Sequence, residues 1–157
     1  IVGNLPYNIS SKIMLWSIKN KDMIEDVHFM LQKEFAERLI SSPNKKSYGR
    51  LSILAQLFFN VEELFDVPSE SFFPEPKVDS LFLRLKPKEN KDLEYLDIEC
   101  LQNVTLKAFT KRRKKISSGL KELLTKEDLK KINIDPGLRP ENLTITDYIS
   151  ITKYIQN

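Results

Sequence analysis

The sequence predicts an α/β domain over residues 1–87, followed by a small all-α carboxy-terminal domain over residues 88–157. Three observations lead there. Short strand-like apolar runs alternate with helix-like segments as far as Leu85, the pattern of an α/β fold with a largely parallel sheet. A polar, charged connector at 86–92 contains Pro87 and reads as a domain boundary. Beyond it the apolar residues recur at helical spacing.

In chain order, residues 1–3 form a strand that enters the turn Asn4-Leu5-Pro6-Tyr7, and Ser10 or Ser11 is placed to cap a helix running to about Asn20. Residues 27–31 are apolar and short enough for a buried strand, whereas 34–40 read as a helix. The polar stretch 43–49, with Lys45 and Lys46, is a loop, and Arg50 opens another helix to about Phe59. Residues 61–67 and 80–85 are strands expected to pair, while Pro68, Pro74 and Pro76 keep the segment between them out of a helix. In the second domain Leu101, Val104 and Ala108 share one face of a helix over 95–110, and the basic segment after it is expected to continue as a helix to about Leu124. Thr125, with Asp128 three residues on, starts a short helix by a variant of the capping box. Asp135-Pro136-Gly137 and Arg139-Pro140 form a loop before a last helix carrying Ile145, Tyr148, Ile149 and Ile155.

Composition narrows the function classes. No apolar run approaches the roughly 18 residues a bilayer requires, and the start lacks the basic n-region of a secretory signal, so a soluble cytoplasmic protein is expected. Ile1 is not a methionine and falls inside an apolar run, which leads to the expectation that further chain precedes it. Cys100 is the only cysteine, which excludes an internal disulfide, and nothing near it has metal-ligand spacing. His28, in an apolar strand, is expected to be packed rather than a ligand. Basic and acidic residues balance at 11 each up to Pro87, so the net charge of +3 resides wholly in the second domain. There Lys107, Lys111, Arg112, Arg113, Lys114, Lys115 and Lys121 follow one another with no acidic residue between them, an anion-binding signal that a solvated helix face would also produce.

The turn Asn4-Leu5-Pro6-Tyr7 sets an amide, a proline-restrained carbonyl and an aromatic ring within four residues. The exocyclic amine of adenine is a poor nucleophile because its lone pair is delocalised into the ring. Methylation there needs acceptors that draw both N–H bonds toward a tetrahedral arrangement; Asn4 Oδ1 is one. The Leu5 carbonyl is the second, since Pro6 biases Leu5 away from the α region. Tyr7 is placed to stack on the base. An ordinary strand-to-helix turn uses the same residue types, and both readings stand on these four residues. The segment Ser71-Phe72-Phe73-Pro74-Glu75-Pro76-Lys77-Val78 adds two aromatics on a stiff loop; one of them is expected in the core, the other facing Tyr7.

Several strings together resemble the KsgA family of ribosomal RNA adenine dimethyltransferases. They are Gly3-Asn4-Leu5-Pro6-Tyr7-Asn8-Ile9-Ser10, Met30-Leu31-Gln32-Lys33-Glu34, Tyr48-Gly49-Arg50-Leu51-Ser52 and Phe72-Phe73-Pro74-Glu75-Pro76-Lys77-Val78-Asp79-Ser80. Ala108-Phe109 before Arg112-Arg113-Lys114, and Arg139-Pro140-Glu141-Asn142-Leu143, are similar to that family's helical RNA-binding domain. The resemblance implies the second half of a Rossmann-like class I methyltransferase sheet ahead of the helical domain. It also implies S-adenosylmethionine as methyl donor and N6,N6-dimethylation of two adjacent adenosines in the 3′-terminal hairpin of small-subunit (16S) ribosomal RNA, with a part in subunit biogenesis. The partners it implies are that RNA and the immature small subunit, and the intact protein is expected to be monomeric.

Carried over by position, Asn4 and the Leu5 carbonyl before Pro6 hold N6, Tyr7 and Phe72 stack on the adenine, and Asn4 also lies beside the cofactor. Lys45, Lys46 and Arg50 join Lys107, Lys111, Arg112, Arg113, Lys114 and Lys115 as RNA contacts, and Phe73 receives no role. The departure is in the glycines: the chain has four and no Gly-x-Gly pair, so most of the cofactor pocket is expected upstream of Ile1 and the chain alone is expected to be inactive. A large-subunit enzyme of the macrolide-resistance type, an adenine-specific DNA methyltransferase and a non-catalytic ribosome-assembly factor remain alternatives.

Overall fold

The computed structural model describes residues 1–6, 8–89, 93 and 95–156. It comprises two compact units, Ile1–Ser41 with Leu51–Glu89 and Ser42–Arg50 with Asn90–Asn157.

The first unit is built on a mixed sheet. β1 (Val2–Asn4), β2 (Val27–Gln32), β3 (Phe59–Val67) and β4 (Ser80–Pro87) lie in the order β1-β2-β4-β3. Only β1 and β2 are parallel; β4 is antiparallel to both β2 and β3. The expectation of a largely parallel sheet is corrected here. The chain returns from β3 to β4 through a loop with no helical crossover, and such a return is antiparallel. Val27, Phe29 and Leu31 of β2 are buried, while the alternate residues are half-exposed. Leu85, Leu83 and Leu81 of β4 face them in register, so the buried residues form one side of the sheet. α1 (Ser10–Lys19) adds Met14 and Ile18 to this core, α2 (Lys33–Leu39) adds Ala36 and Leu39, and α3 (Arg50–Phe58) adds Ile53, Leu54, Leu57 and Phe58. His28, on the other side, stacks on Phe82 with ring centroids 6.2 Å apart.

In the second unit α4 (Ile98–Thr110) is capped by Asp97, whose carboxylate accepts from the Glu99 and Cys100 amides. Its buried stripe is Leu101, Val104, Thr105 and Ala108. α5 (Ile116–Gly119), α6 (Lys126–Lys131) and α7 (Ile145–Gln156) follow, and Tyr148 and Ile151 of α7 are fully buried. The helix expected to run through Leu124 is replaced by a turn at 111–115 and the four-residue α5. Five successive cations in a helix would stack like charges at i,i+3 and i,i+4. The chain instead turns, with Lys114 N–H donating to Lys111 O and Ile116 N–H donating to Leu138 O.

The unit boundaries differ from the expected 1–87 and 88–157 in the segment Ser42–Arg50, which packs with the helices. Asn44, at a φ of 69°, donates its N–H to Glu141 O at 2.8 Å and accepts at Oδ1 from Asn142 Nδ2 at 2.8 Å. Tyr48 is fully buried, edge-on to Phe109.

The capping box at Thr125 forms as its residues predict. Asp128 Oδ2 accepts from the Thr125 hydroxyl at 2.6 Å and the Thr125 amide at 3.1 Å, and Oδ1 accepts from Tyr154 and Lys131. These donors, the Thr125 hydroxyl foremost, hold the carboxyl well below its ordinary pKa of 3.8. A carboxyl depressed in the folded state contributes stability above its unfolded pKa and loses it as pH falls through the folded one. The helical unit is therefore expected to lose stability below about pH 4. Asp128→Asn should lower the melting temperature at neutral pH and flatten that acid decline. Thermal melts from neutral to strongly acidic pH check this, and parallel curves for the two proteins would free Asp128 of the role.

Candidate functional site

At the end of β1 the chain leaves the sheet in a way that frees two acceptors. Leu5 N–H continues the β2 ladder by donating to Met30 O at 3.0 Å, and the Leu5 side chain is buried. Gly3 makes room for it, since a Cβ there would press on Leu5 Cδ2 at 3.3 Å. The Pro6 carbonyl is the one drawn into the turn, accepting from Ile9 N–H at 3.1 Å and the Ser10 hydroxyl at 3.0 Å. Ser10 is thus the first residue of α1 and bonds backward; neither it nor Ser11 caps the helix, whose N-cap Ile9 makes no side-chain cap. Among the described residues no hydrogen bond is made to the Leu5 carbonyl or the Asn4 side chain, which is exposed.

Asn4, Leu5 and Pro6 line a cleft of about 420 Å³ together with Phe72, Phe73, Pro74, Pro76 and Ser80. That volume lies within the roughly 300–1,000 Å³ of small-ligand sites. The loop over 68–79 brings its half to the cleft already braced. Ser71 N–H donates to Pro68 O, Phe72 N–H donates to Ser69 O, and Asp79 Oδ1 accepts from Ser69 N–H at 3.0 Å. Lys33, whose N–H donates to Asp79 O, carries its ammonium 2.7 Å from Asp66, so the start of α2 ties both ends of the loop. Phe72 is half-buried and Phe73 wholly exposed, so the expectation that one of the two lies in the core is corrected: both border the open cleft. The cleft thus unites the two sequence-distant motifs in one place: Asn4, Leu5 and Pro6 from the turn, and Phe72, Phe73, Pro74 and Pro76 from the loop. Pro74, Pro76 and Ser80 join the lining without having been given a role from the sequence, although all three lie in the motif over residues 72–80. Ser80 is buried on the face opposite Leu81, Leu83 and Leu85, which alternation does not foretell. Tyr7 lies outside the described residues. No group of three or more His, Cys, Asp or Glu able to hold a metal ion occurs among the described residues.

The cations expected to form a patch divide into two sets in the second unit. Lys107 pairs with Glu122, and Arg112 donates to Lys46 O at 2.5 Å and lies 3.7 Å from Glu141. These two act inside the fold, and the sequence hid their partners because both acids lie beyond the basic run. Arg50, the first residue of α3, is half-buried, and desolvation lowers its pKa. Lys45, Lys46, Lys111, Arg113, Lys114 and Lys115 are exposed. The Arg112 bond brings the 42–50 segment to the basic turn, so the two lysines of that segment and the four cations of the turn share one surface.

The chain matches the family model described as ribosomal RNA adenine dimethylase across residues 1–157. It is 44% identical over 157 residues to ribosomal RNA small subunit methyltransferase A of Legionella pneumophila (strain Corby), an alignment covering 100% of this chain and 61% of that protein. It is 45% identical to the protein of the same name from Francisella tularensis subsp. novicida (strain U112), over 99% of this chain and 60% of the relative. The crystal structure of a dimethyladenosine transferase from Plasmodium falciparum matches with a TM-score of 0.83 at 27% identity, over 96% of this chain and 64% of that one. The chain spans about three-fifths of the length of the curated relatives it matches.

Proposed function

Since the chain belongs to the ribosomal RNA adenine dimethylase family, we propose that it is the target-base and RNA-binding portion of an enzyme that dimethylates N6 of two adjacent adenosines in the 3′-terminal hairpin of small-subunit ribosomal RNA. The observation that carries this reading is the cleft in which Asn4 and Leu5 meet Phe72. Asn4 Oδ1 and the Leu5 carbonyl accept the two N–H bonds of the adenine amine and draw its nitrogen toward a tetrahedral arrangement. Phe72 stacks on the base, the role the resemblance gives Tyr7 as well, and Pro6 fixes the carbonyl's direction. The bound S-adenosylmethionine supplies a methyl group on a sulfonium. Of this chain's residues Asn4 is the one expected beside that group, and no acidic side chain that would bind its ribose lines the cleft among the described residues. The residues present therefore fit the base. Displacement at a sulfonium depends mainly on alignment, and the cleft's task is to hold N6 in line without a strong general base.

The RNA is held through its phosphates by the exposed cations of the helical unit. The substrate is an immature small subunit, the enzyme acts in the cytoplasm during subunit biogenesis, and the intact protein is a monomer. The test is methyl incorporation by a fusion of these residues to the remaining length of the L. pneumophila relative. Under-methylated small subunits should be modified at the adenosine pair, large subunits should not, and binding without incorporation would favour a non-catalytic assembly factor.

Because Arg112 braces the fold, the variant that tests the RNA surface is Arg113→Ala, Lys114→Ala and Lys115→Ala together. Its affinity for the hairpin is expected to fall, and the slope of log affinity against log salt to shrink by up to about 3. A filter-binding salt series measures both. An unchanged slope would make the turn a solvated surface only.

A further inference from the structure

Phe73 has no part in the function proposed above, yet its placement is unusual for its chemistry. At 102% relative exposure it is the most exposed of the large apolar side chains among the described residues. Single exposed apolar residues are ordinary on a protein surface. This one, however, borders the cleft on the loop braced by Ser69, Ser71 and Asp79, so its backbone is held beside the site and its ring is open to a ligand. Phe72 has extended backbone, with φ −119° and ψ 152°. Phe72 is half-buried and Phe73 wholly exposed while both border the cleft, so Phe73 is the outer ring of the pair.

We infer that Phe73 stacks on the base adjacent to the target adenine, holding the neighbouring nucleotide at the rim while the target occupies the cleft. This rests on the function proposed above and adds a substrate contact to it. Each base has a π face, and a fully exposed phenyl ring is a ready stacking platform. Two adjacent adenosines then occupy two adjacent aromatics, Phe72 for the base under reaction and Phe73 for the one that precedes or follows it.

The experiment uses this chain with a hairpin RNA of the small-subunit type carrying 2-aminopurine beside the target adenosine, on either side in separate probes, or at the target itself. Stacking quenches that base. Phe73→Leu keeps an apolar side chain and removes the ring; it is expected to weaken binding by roughly 5- to 100-fold and to raise the emission of one flanking probe. Emission of the target-site probe should not change. Phe73→Trp should keep both affinity and quenching. Because the side chain is fully exposed, folding should be intact in each variant, which their far-UV dichroism and melting curves verify. If the unsubstituted chain binds the hairpin and Phe73→Leu alters neither affinity nor flanking emission, or if Phe73→Trp behaves like Phe73→Leu, the inference is overturned and the proposed function stands. Failure of the unsubstituted chain to bind the hairpin would instead overturn the proposed function and this inference with it.

Discussion

Replacing Asn4 by alanine is expected to cut methyl transfer by about 10²–10³-fold, the cost of deleting one group that bonds the reacting centre in the transition state. The Asn4 side chain is exposed at the cleft and makes no hydrogen bond within the described residues, so its removal takes no support from the fold. The phosphate-binding cations belong to the other unit and the stacking rings are kept, so affinity for the hairpin should hardly change. Turnover and binding therefore separate, which distinguishes loss of chemistry from loss of the substrate. Asn4→Asp keeps an acceptor oxygen at the same reach and should fall between the two. The measurement is single-turnover methylation by the fusion with the L. pneumophila segment, alongside filter binding of the same proteins. Near-normal turnover by Asn4→Ala would remove Asn4 from the mechanism.

Asn4, Leu5 and Pro6 were legible in the sequence as a candidate site because the turn rests on local chemistry, and the cleft they line includes Phe72. Pro6 restrains the residue before it. A short apolar run likewise located β2, whose residues alternate between buried and half-exposed because one sheet face is covered. What escaped was non-local. The direction of β4 depends on where it inserts, between β2 and β3, and no periodicity encodes that choice. The segment 42–50 looks like a solvated loop, yet Tyr48 is buried against Phe109 and Asn44 is clamped by Glu141 and Asn142, nearly a hundred residues away. Helical propensity carried the basic run too far because it ignores repulsion among adjacent cations and the bond from Ile116 to Leu138. Counting charges also overstated the patch, since Glu122 and Glu141 engage Lys107 and Arg112.

The 157-residue chain by itself is expected to bind the hairpin RNA and to incorporate no methyl group. Its helical unit buries Leu101, Val104, Ala108, Leu129, Tyr148 and Ile151 and carries its own exposed cations, so the means of holding phosphates are complete within it. Catalysis asks for more. The four glycines of the chain include no Gly-x-Gly pair to let backbone approach the donor, and the relatives it matches are longer by about two-fifths of their length. Asn4 and Phe72 can hold the adenine, but holding one reactant does not align two. Among the described residues β1 is an outer strand, paired with β2 alone and with Val2 exposed, and an unpaired strand edge is a template for further pairing. The remaining segment of the L. pneumophila relative, added as a separate polypeptide, is therefore expected to restore part of the activity of the covalent fusion. A labelled-methyl assay on under-methylated small subunits compares the chain alone, the chain with that segment, and the fusion, with RNA binding measured in parallel. Robust incorporation by the chain alone would require a donor site within these 157 residues and would overturn the division of labour proposed for the two parts.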